Sequence, residues 1–240
     1  MTKTNLMFYM LTFICLVFNP ANPVFASTIL SAVHGINGRD LGSSALYPID
    51  ISIDDTCIFA NIVSGEISDF SRFEAGTYQI NIAPAVTKAP CSAEPILSTE
   101  ATLEDKTIYS TIVHLDADGG LTVSVLGNEV PTGLRDTLVI FRHTAAAPTV
   151  DVEISRGRIS PISSAFIEDL APGDEAQLVT RGGNYMAKIL LADTETKILR
   201  VPSIPVAPQV TTVVYVAGSA ETDTLDAIVQ LIPRQLLTLP

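Results

Sequence analysis

The sequence predicts an all-β protein: two tandem immunoglobulin-like antiparallel β-sandwiches behind an N-terminal signal peptide. Three observations carry this. Residues 47–84, YPIDISIDDTCIFANIVSGEISDFSRFEAGTYQINIAP, open with strict alternation, Ile49, Ile51 and Ile53 on one side against Asp50, Ser52 and Asp54 on the other. That is the period-two pattern of a half-buried strand. With 15 Pro and 14 Gly spread among such runs, little room is left for helix. The plan of the first half then recurs, in degenerate form, in the second, as tandem repeats do.

The first 26 residues are set aside. Lys3 supplies a positive start, residues 6–18 (LMFYMLTFICLVF) an apolar stretch, and Val24-Phe25-Ala26 a small-x-small ending. This is a secretory signal, and cleavage is expected between Ala26 and Ser27. The apolar stretch is short of the roughly 20 residues that span a bilayer. No later segment is long and apolar enough to span one, so the mature chain is expected to carry no integral membrane segment.

Residues 28–34 (TILSAVH) read as the first strand, followed by a Gly- and Ser-containing loop. Residues 49–53 form the second strand, Asp54-Asp55 a turn, residues 56–62 a third strand, and residues 77–83 a further strand with Tyr78, Ile80 and Ile82 on one face. After a longer loop come residues 99–103, then 107–115 (TIYSTIVHL), a turn at 116–120 (DADGG) and a closing strand at 121–126. Asp-Gly between two apolar runs is a hairpin signal. The domain plan is a first sandwich over 27–128, a linker over 129–135 and a second sandwich over 136–240.

In the second half, residues 137–143 match the first strand, which puts His143 on His34. Residues 148–154 (PTVDVEI) match the second, which puts Asp151 on Asp50. Gly183-Asn184-Tyr185 falls on Gly76-Thr77-Tyr78, residues 211–216 on 107–112, and residues 225–232 on the closing strand. Residues 163–170 (SSAFIEDL) suggest a short helical turn. Each half is expected to have its own core and to fold alone, since domains of about 100 residues can bury enough surface to be stable.

At these residues the chain resembles the bacterial exported domain-of-unknown-function 4397 family. That family carries tandem sandwiches with a pattern close to V-H-A-S-P-D-A-P-x-V-D-V-Y-V, then a G-T-Y run. The second copy gives Arg142-His143-Thr144-Ala145-Ala146-Ala147-Pro148-Thr149-Val150-Asp151-Val152-Glu153-Ile154. The first gives Val33-His34, an inserted loop, Pro48-Ile49-Asp50-Ile51-Ser52-Ile53 and later Ala75-Gly76-Thr77-Tyr78. The S-P-D-A portion is absent from both. The resemblance implies a fold and an extracytoplasmic location; the family brings no activity with it.

Composition bounds the function. Residues are 47% hydrophobic and only 17% charged, enough apolar surface for real cores. Lys3 is the single charge in the leader. Removing it from 14 basic side chains against 26 acidic ones leaves the mature chain at −13. Such a chain is not built for nucleic acid, whose affinity comes from Lys and Arg on phosphate. Two cysteines remain after the leader, Cys57 and Cys91, and in an exported chain they predict one disulfide.

No catalytic motif stands out. There is no G-x-S-x-G, no H-E-x-x-H and no C-x-x-C. His34 and His143, repeated once per half, read as structural residues bonded to a backbone carbonyl or to Asp50 and Asp151. Tyr78 and Tyr185 read as core residues whose hydroxyls reach a neighbouring loop. Asp116 and Asp118 are weak metal candidates, but Leu121-Thr122-Val123 supplies none of the further ligands a calcium loop needs. No cofactor is expected. The mature chain lacks Trp, which weakens a sugar-binding reading. The expectation is a non-enzymatic exported binding or structural module, periplasmic or at the cell surface, whose partner is a protein or cell-surface ligand. Two alternatives stand beside it. One is a pilus-type assembly chaperone, which needs a basic anchor in the interdomain cleft, with Arg135 and Arg142 nearest the linker. The other is a secreted hydrolase with dispersed carboxylates.

Overall fold

The computed structural model describes residues 27–157 and 164–237. The predicted leader, with Ala26, lies outside them, and Ser27 is the first residue described. Among the described residues no helix is long and apolar enough to cross a membrane.

The first half contributes β1 (Ser27–His34), β2 (Ile49–Ile53), β3 (Thr56–Ile62), β4 (Ser71–Glu74), β5 (Gly76–Pro84), β6 (Leu97–Leu103), β7 (Ile108–Leu115) and β8 (Leu121–Asn128). The second contributes β9 (Leu138–Ala146), β10 (Val150–Arg156), β11 (Ser164–Leu170), β12 (Glu175–Leu178), β13 (Gly183–Leu191), β14 (Lys197–Val206), β15 (Val210–Ser219) and β16 (Asp226–Pro233). The first eight strands make sheets ordered β4-β1-β7-β8 and β3-β2-β5-β6. The last eight make sheets ordered β12-β9-β15-β16 and β11-β10-β13-β14. The two halves therefore repeat strand for strand, and the all-β, two-sandwich architecture is as the sequence predicts. It is not wholly antiparallel: β1 runs parallel to β7 and β9 parallel to β15. Parallel neighbours need a long crossover, and here most of a sandwich supplies it. Residues 164–170 form strand β11, not a helical turn. They pair with β10 from Ser155↔Ser164 to Val150↔Leu170, and Ala165 and Ile167 pack on the core.

Alternation positions the cores. Ile49, Ile51 and Ile53 are buried against Leu30, Ala32, Ile80 and Ile82 in the first sandwich. Val150, Val152 and Ile154 do the same against Val139, Phe141 and Ile189 in the second. The strands β1, β7, β9 and β15 depart from this pattern, because nearly every residue along them is buried. Their second faces meet. Ile29, Val33, Ile108 and Ile112 pack against Leu138, Ile140, Val213, Tyr215, Ile228 and Ile232 in a third apolar cluster between the halves. The molecule is a stack of four sheets, and the expectation of two self-contained cores meets a third core that the halves share.

Candidate functional site

The repeated polar residues occupy equivalent places and bond to the backbone. Nε2 of His34 lies 2.8 Å from the Tyr47 carbonyl, and its Nδ1 accepts the Ile36 N–H at 3.3 Å. Nε2 of His143 lies 2.9 Å from the Pro148 carbonyl, and its Nδ1 accepts the Ala145 N–H at 3.4 Å. Each imidazole bridges the end of one strand to the entry of the next in the facing sheet. The partners select the neutral ring with its proton on Nε2.

Asp50 and Asp151 lie on the outer side of their strands and yet are buried. Opposite each, the neighbouring strand bulges. The pairing shifts between Ile49 and Ile51, and again between Val150 and Val152. The extra residues, Asn61 and Asp169, adopt positive φ of 57° and 55°, where Asn and Asp are enriched. Their N–H groups donate to Asp50 Oδ1 at 2.7 Å and to Asp151 Oδ1 at 3.0 Å. A bulge leaves an N–H without a ladder partner, and these carboxylates receive it. The other oxygen of Asp50 accepts the N–H groups of Val86 and Cys91 at 3.2 and 2.8 Å. It thereby gathers the loop that carries the disulfide.

Cys57 and Cys91 are bonded, with Cα atoms 5.6 Å apart and a sequence separation of 34. The disulfide ties β3 to the β5–β6 loop and is worth about 3–4 kcal/mol on the chain-entropy account. Tyr78 and Tyr185 each donate to the carbonyl four residues back, Glu74 at 2.9 Å and Arg181 at 2.8 Å. Asp116 is spent on its own hairpin, where Oδ1 accepts the Asp118 and Gly120 N–H groups. Among the described residues no three His, Cys, Asp or Glu side chains converge. The predicted residues thus form small separate devices, repeated once per half, and no single site gathers them.

The feature that sequence reasoning missed lies between the halves. Arg142, on β9, is fully buried. Its Nε donates to Glu175 Oε2 at 2.9 Å, one terminal nitrogen to Asn128 Oδ1 at 2.9 Å and Tyr215 Oη at 3.3 Å, and the other to the Gly127 carbonyl at 2.8 Å. Gln230 continues the network, accepting from Tyr215 Oη and Ser110 Oγ and donating to Ser31 Oγ at 2.7 Å. Asn128 Nδ2 closes it on Ser110. Ser31, Ser110 and Asn128 belong to one half, and Arg142, Tyr215 and Gln230 to the other. Directional bonds inside an apolar interface fix its register, since a slip would orphan several buried groups at once. The signal was Ser31, Ser110, Arg142 and Tyr215 in strands buried on both faces, with Asn128 and Gln230 in the strands beside them.

Burial lowers the pKa of all three histidines, against smaller opposing effects of the Tyr47, Leu115 and Pro148 carbonyls. The folded state then binds fewer protons than the unfolded chain, whose histidines titrate near about 6.5. Stability is fully present above that value and is lost as pH falls through it toward the folded pKa values. Protonation would also set a new Nδ1–H of His34 against the Ile36 N–H. Thermal midpoints measured from pH 7.5 to 5.5 should fall, and the double variant His34→Gln/His143→Gln should lose most of that slope. An unchanged slope would reject the assignment.

The family described as "Domain of unknown function (DUF4397)" matches residues 42–153. The match runs from the β1–β2 loop into β10, so it crosses from one sandwich to the other and bears out the resemblance read from the motifs. No curated protein matches the chain. Among solved structures, the Bacillus anthracis TIE protein is similar at 11% identity and a TM-score of 0.24, over 70% of this chain; the chain spans 29% of that protein. A candidate cell adhesion protein from Bacteroides ovatus gives 12% identity and a TM-score of 0.32, over 85% of this chain and 96% of its own. A streptococcal ancillary pilin gives 11% identity and a TM-score of 0.21, over 80% and 62%. Likenesses of this strength bear on neither ligand nor activity.

Proposed function

We propose that this chain, which matches the DUF4397 family over residues 42–153, is a non-enzymatic extracytoplasmic module that binds or spaces a partner at the cell envelope. The observation that carries the reading is the use of its polar residues. Asp50, Asp151, both repeated histidines and both repeated tyrosines bond to backbone. They are spent on holding a stiff scaffold, and the residues left facing solvent are those of loops and outer sheet faces. The disulfide supports an oxidising compartment. Arg142 does not support the assembly-chaperone alternative, because it is buried and bonded to Glu175, Asn128, Tyr215 and Gly127; Arg135 stands exposed in the linker. The hydrolase alternative needs two free facing carboxylates, a role for which Asp50 and Asp151 are not available, since both accept backbone N–H groups.

Cell fractionation with mass spectrometry of the recovered protein tests the reading. The expected product begins at Ser27, and non-reducing peptide mapping links Cys57 to Cys91. Recovery of intact Met1 with two alkylatable thiols would sink it.

A further inference from the structure

We propose that the cleft at the junction of the two halves binds a small zwitterion with an apolar side chain, an α-amino acid or a short peptide bearing one. This deepens the binding-module reading and rests on it. The starting point is a difference between the repeats. Residues 147–149 connect β9 to β10, whereas residues 35–48 connect β1 to β2. The second sandwich closes without the longer connection, so the fold does not require it. Ordering each residue still costs on the order of 1–2 kcal/mol, and this insert is ordered. Asn37 Oδ1 caps its 3-10 turn by accepting the Arg39 N–H. Asp40 reaches the other half, where its Oδ1 accepts the hydroxyls of Thr222 and Thr224. At Gly35 the halves nearly touch: an added Cβ would stand 3.2 Å from Ala217 Cβ.

Held this way, the insert forms one wall of a cleft of about 300 Å³. That is the small end of the range for ligand pockets, which favour domain junctions. Arg39 and Leu46 come from the insert, and Asp223, Asp226 and Ile228 from the β15–β16 side. The Arg39 guanidinium is exposed, and its Nε donates to Asn37 Oδ1 at 3.4 Å. Its terminal nitrogens make no bond among the described residues. Asp226 accepts only the N–H of the next residue. Leu46 is 60% exposed. A cation on one wall, carboxylates on the other and an apolar side chain on each disfavour a simple anion, which would meet Asp223 and Asp226. They equally disfavour a simple cation, which would meet Arg39. A molecule carrying both charges beside an apolar group satisfies all three: its carboxylate takes Arg39, its ammonium the aspartates, and its side chain Leu46 and Ile228.

The test uses ¹H–¹⁵N spectra of the purified, oxidised protein titrated with L-leucine and with the dipeptide Gly-Leu. Saturable shifts are expected for amides of residues 35–48 and 219–228 with at least one of them. N-acetyl-leucine and leucinamide, each lacking one charge, should bind at least tenfold more weakly than leucine. Arg39→Gln, at an exposed position outside both cores, should retain the thermal midpoint and weaken binding at least tenfold. Asp226→Asn should weaken it too. The absence of saturable shifts with both probes, equal binding by Arg39→Gln, or equal binding of N-acetyl-leucine would overturn the proposal. A protein that is exported yet silent to leucine and Gly-Leu sinks the cleft alone. One that binds leucine but stays in the cytoplasm sinks the export reading and leaves the cleft standing.

Discussion

Arg142→Ala is expected to cost about 3–5 kcal/mol and to destabilise both halves together. The side chain donates four bonds inside the inter-sandwich layer, and its guanidinium lies 5.7 Å from the Tyr215 ring centroid. Removing it leaves the buried Asn128 Oδ1 without a donor, at about 1–3 kcal/mol, and opens a cavity between the sheets. The Glu175 carboxylate, 41% exposed, re-enters water and contributes little. Glu175→Gln keeps an acceptor for Nε but leaves the buried guanidinium without its counterion, and should cost about 1–2 kcal/mol. Arg142→Met restores packing without donors and should fall between the two. Urea denaturation of the four proteins checks the ranking. An alanine variant within 1 kcal/mol of the parent would show that the network contributes no stability.

The sequence made most of the strands and their repetition legible because each strand has one wet face in the outer sheets. Alternation at 49–53 and 150–154 separates Ile and Val from Asp, Ser and Glu, and that contrast is the signal. Three of the strands that escaped lack that contrast. The short edge strands β4 and β12, SRFE and EAQL, are too brief for a period to emerge. Strand β11, SAFIEDL, holds a bulge at Glu168-Asp169 that breaks its alternation. The shared core escaped because strands such as β7, IYSTIVHL, are apolar on both faces, with Ser110 and His114 as the polar positions facing the second half. A strand buried on both faces reads as a near-continuous apolar run. The sequence does not say whether the second cover is a loop, a helix or another sandwich. Arg142 was visible only as a charge near the linker. Nothing local marks it as buried, because its partners stand at 127, 128, 175 and 215.

The two halves are expected to unfold as one unit, and a fragment of residues 136–240 is expected to be unstable alone. This reverses the expectation drawn from the repeat pattern and follows from the third cluster. Cutting at the proposed linker would expose Leu138, Ile140, Val213, Tyr215, Ile228 and Ile232 on one sheet, all buried in the whole. Large apolar side chains of this kind are worth roughly 1.5–3 kcal/mol each when fully buried, against a typical total stability of about 5–15 kcal/mol. The same cut would leave Arg142 without Asn128 and Gly127, and Gln230 without Ser31 and Ser110. Each half keeps its own inner cluster, so the fragment should retain β structure while associating through the bared face. Calorimetry of the intact protein should show one transition whose calorimetric and van't Hoff enthalpies agree. Ile140→Asp, an unpaired charge in the shared layer, should lower that single transition for both halves. Two resolved transitions, with a monomeric folded fragment and an Ile140→Asp effect confined to the second half, would mean that the sandwiches are independent and that the layer between them is a mere contact.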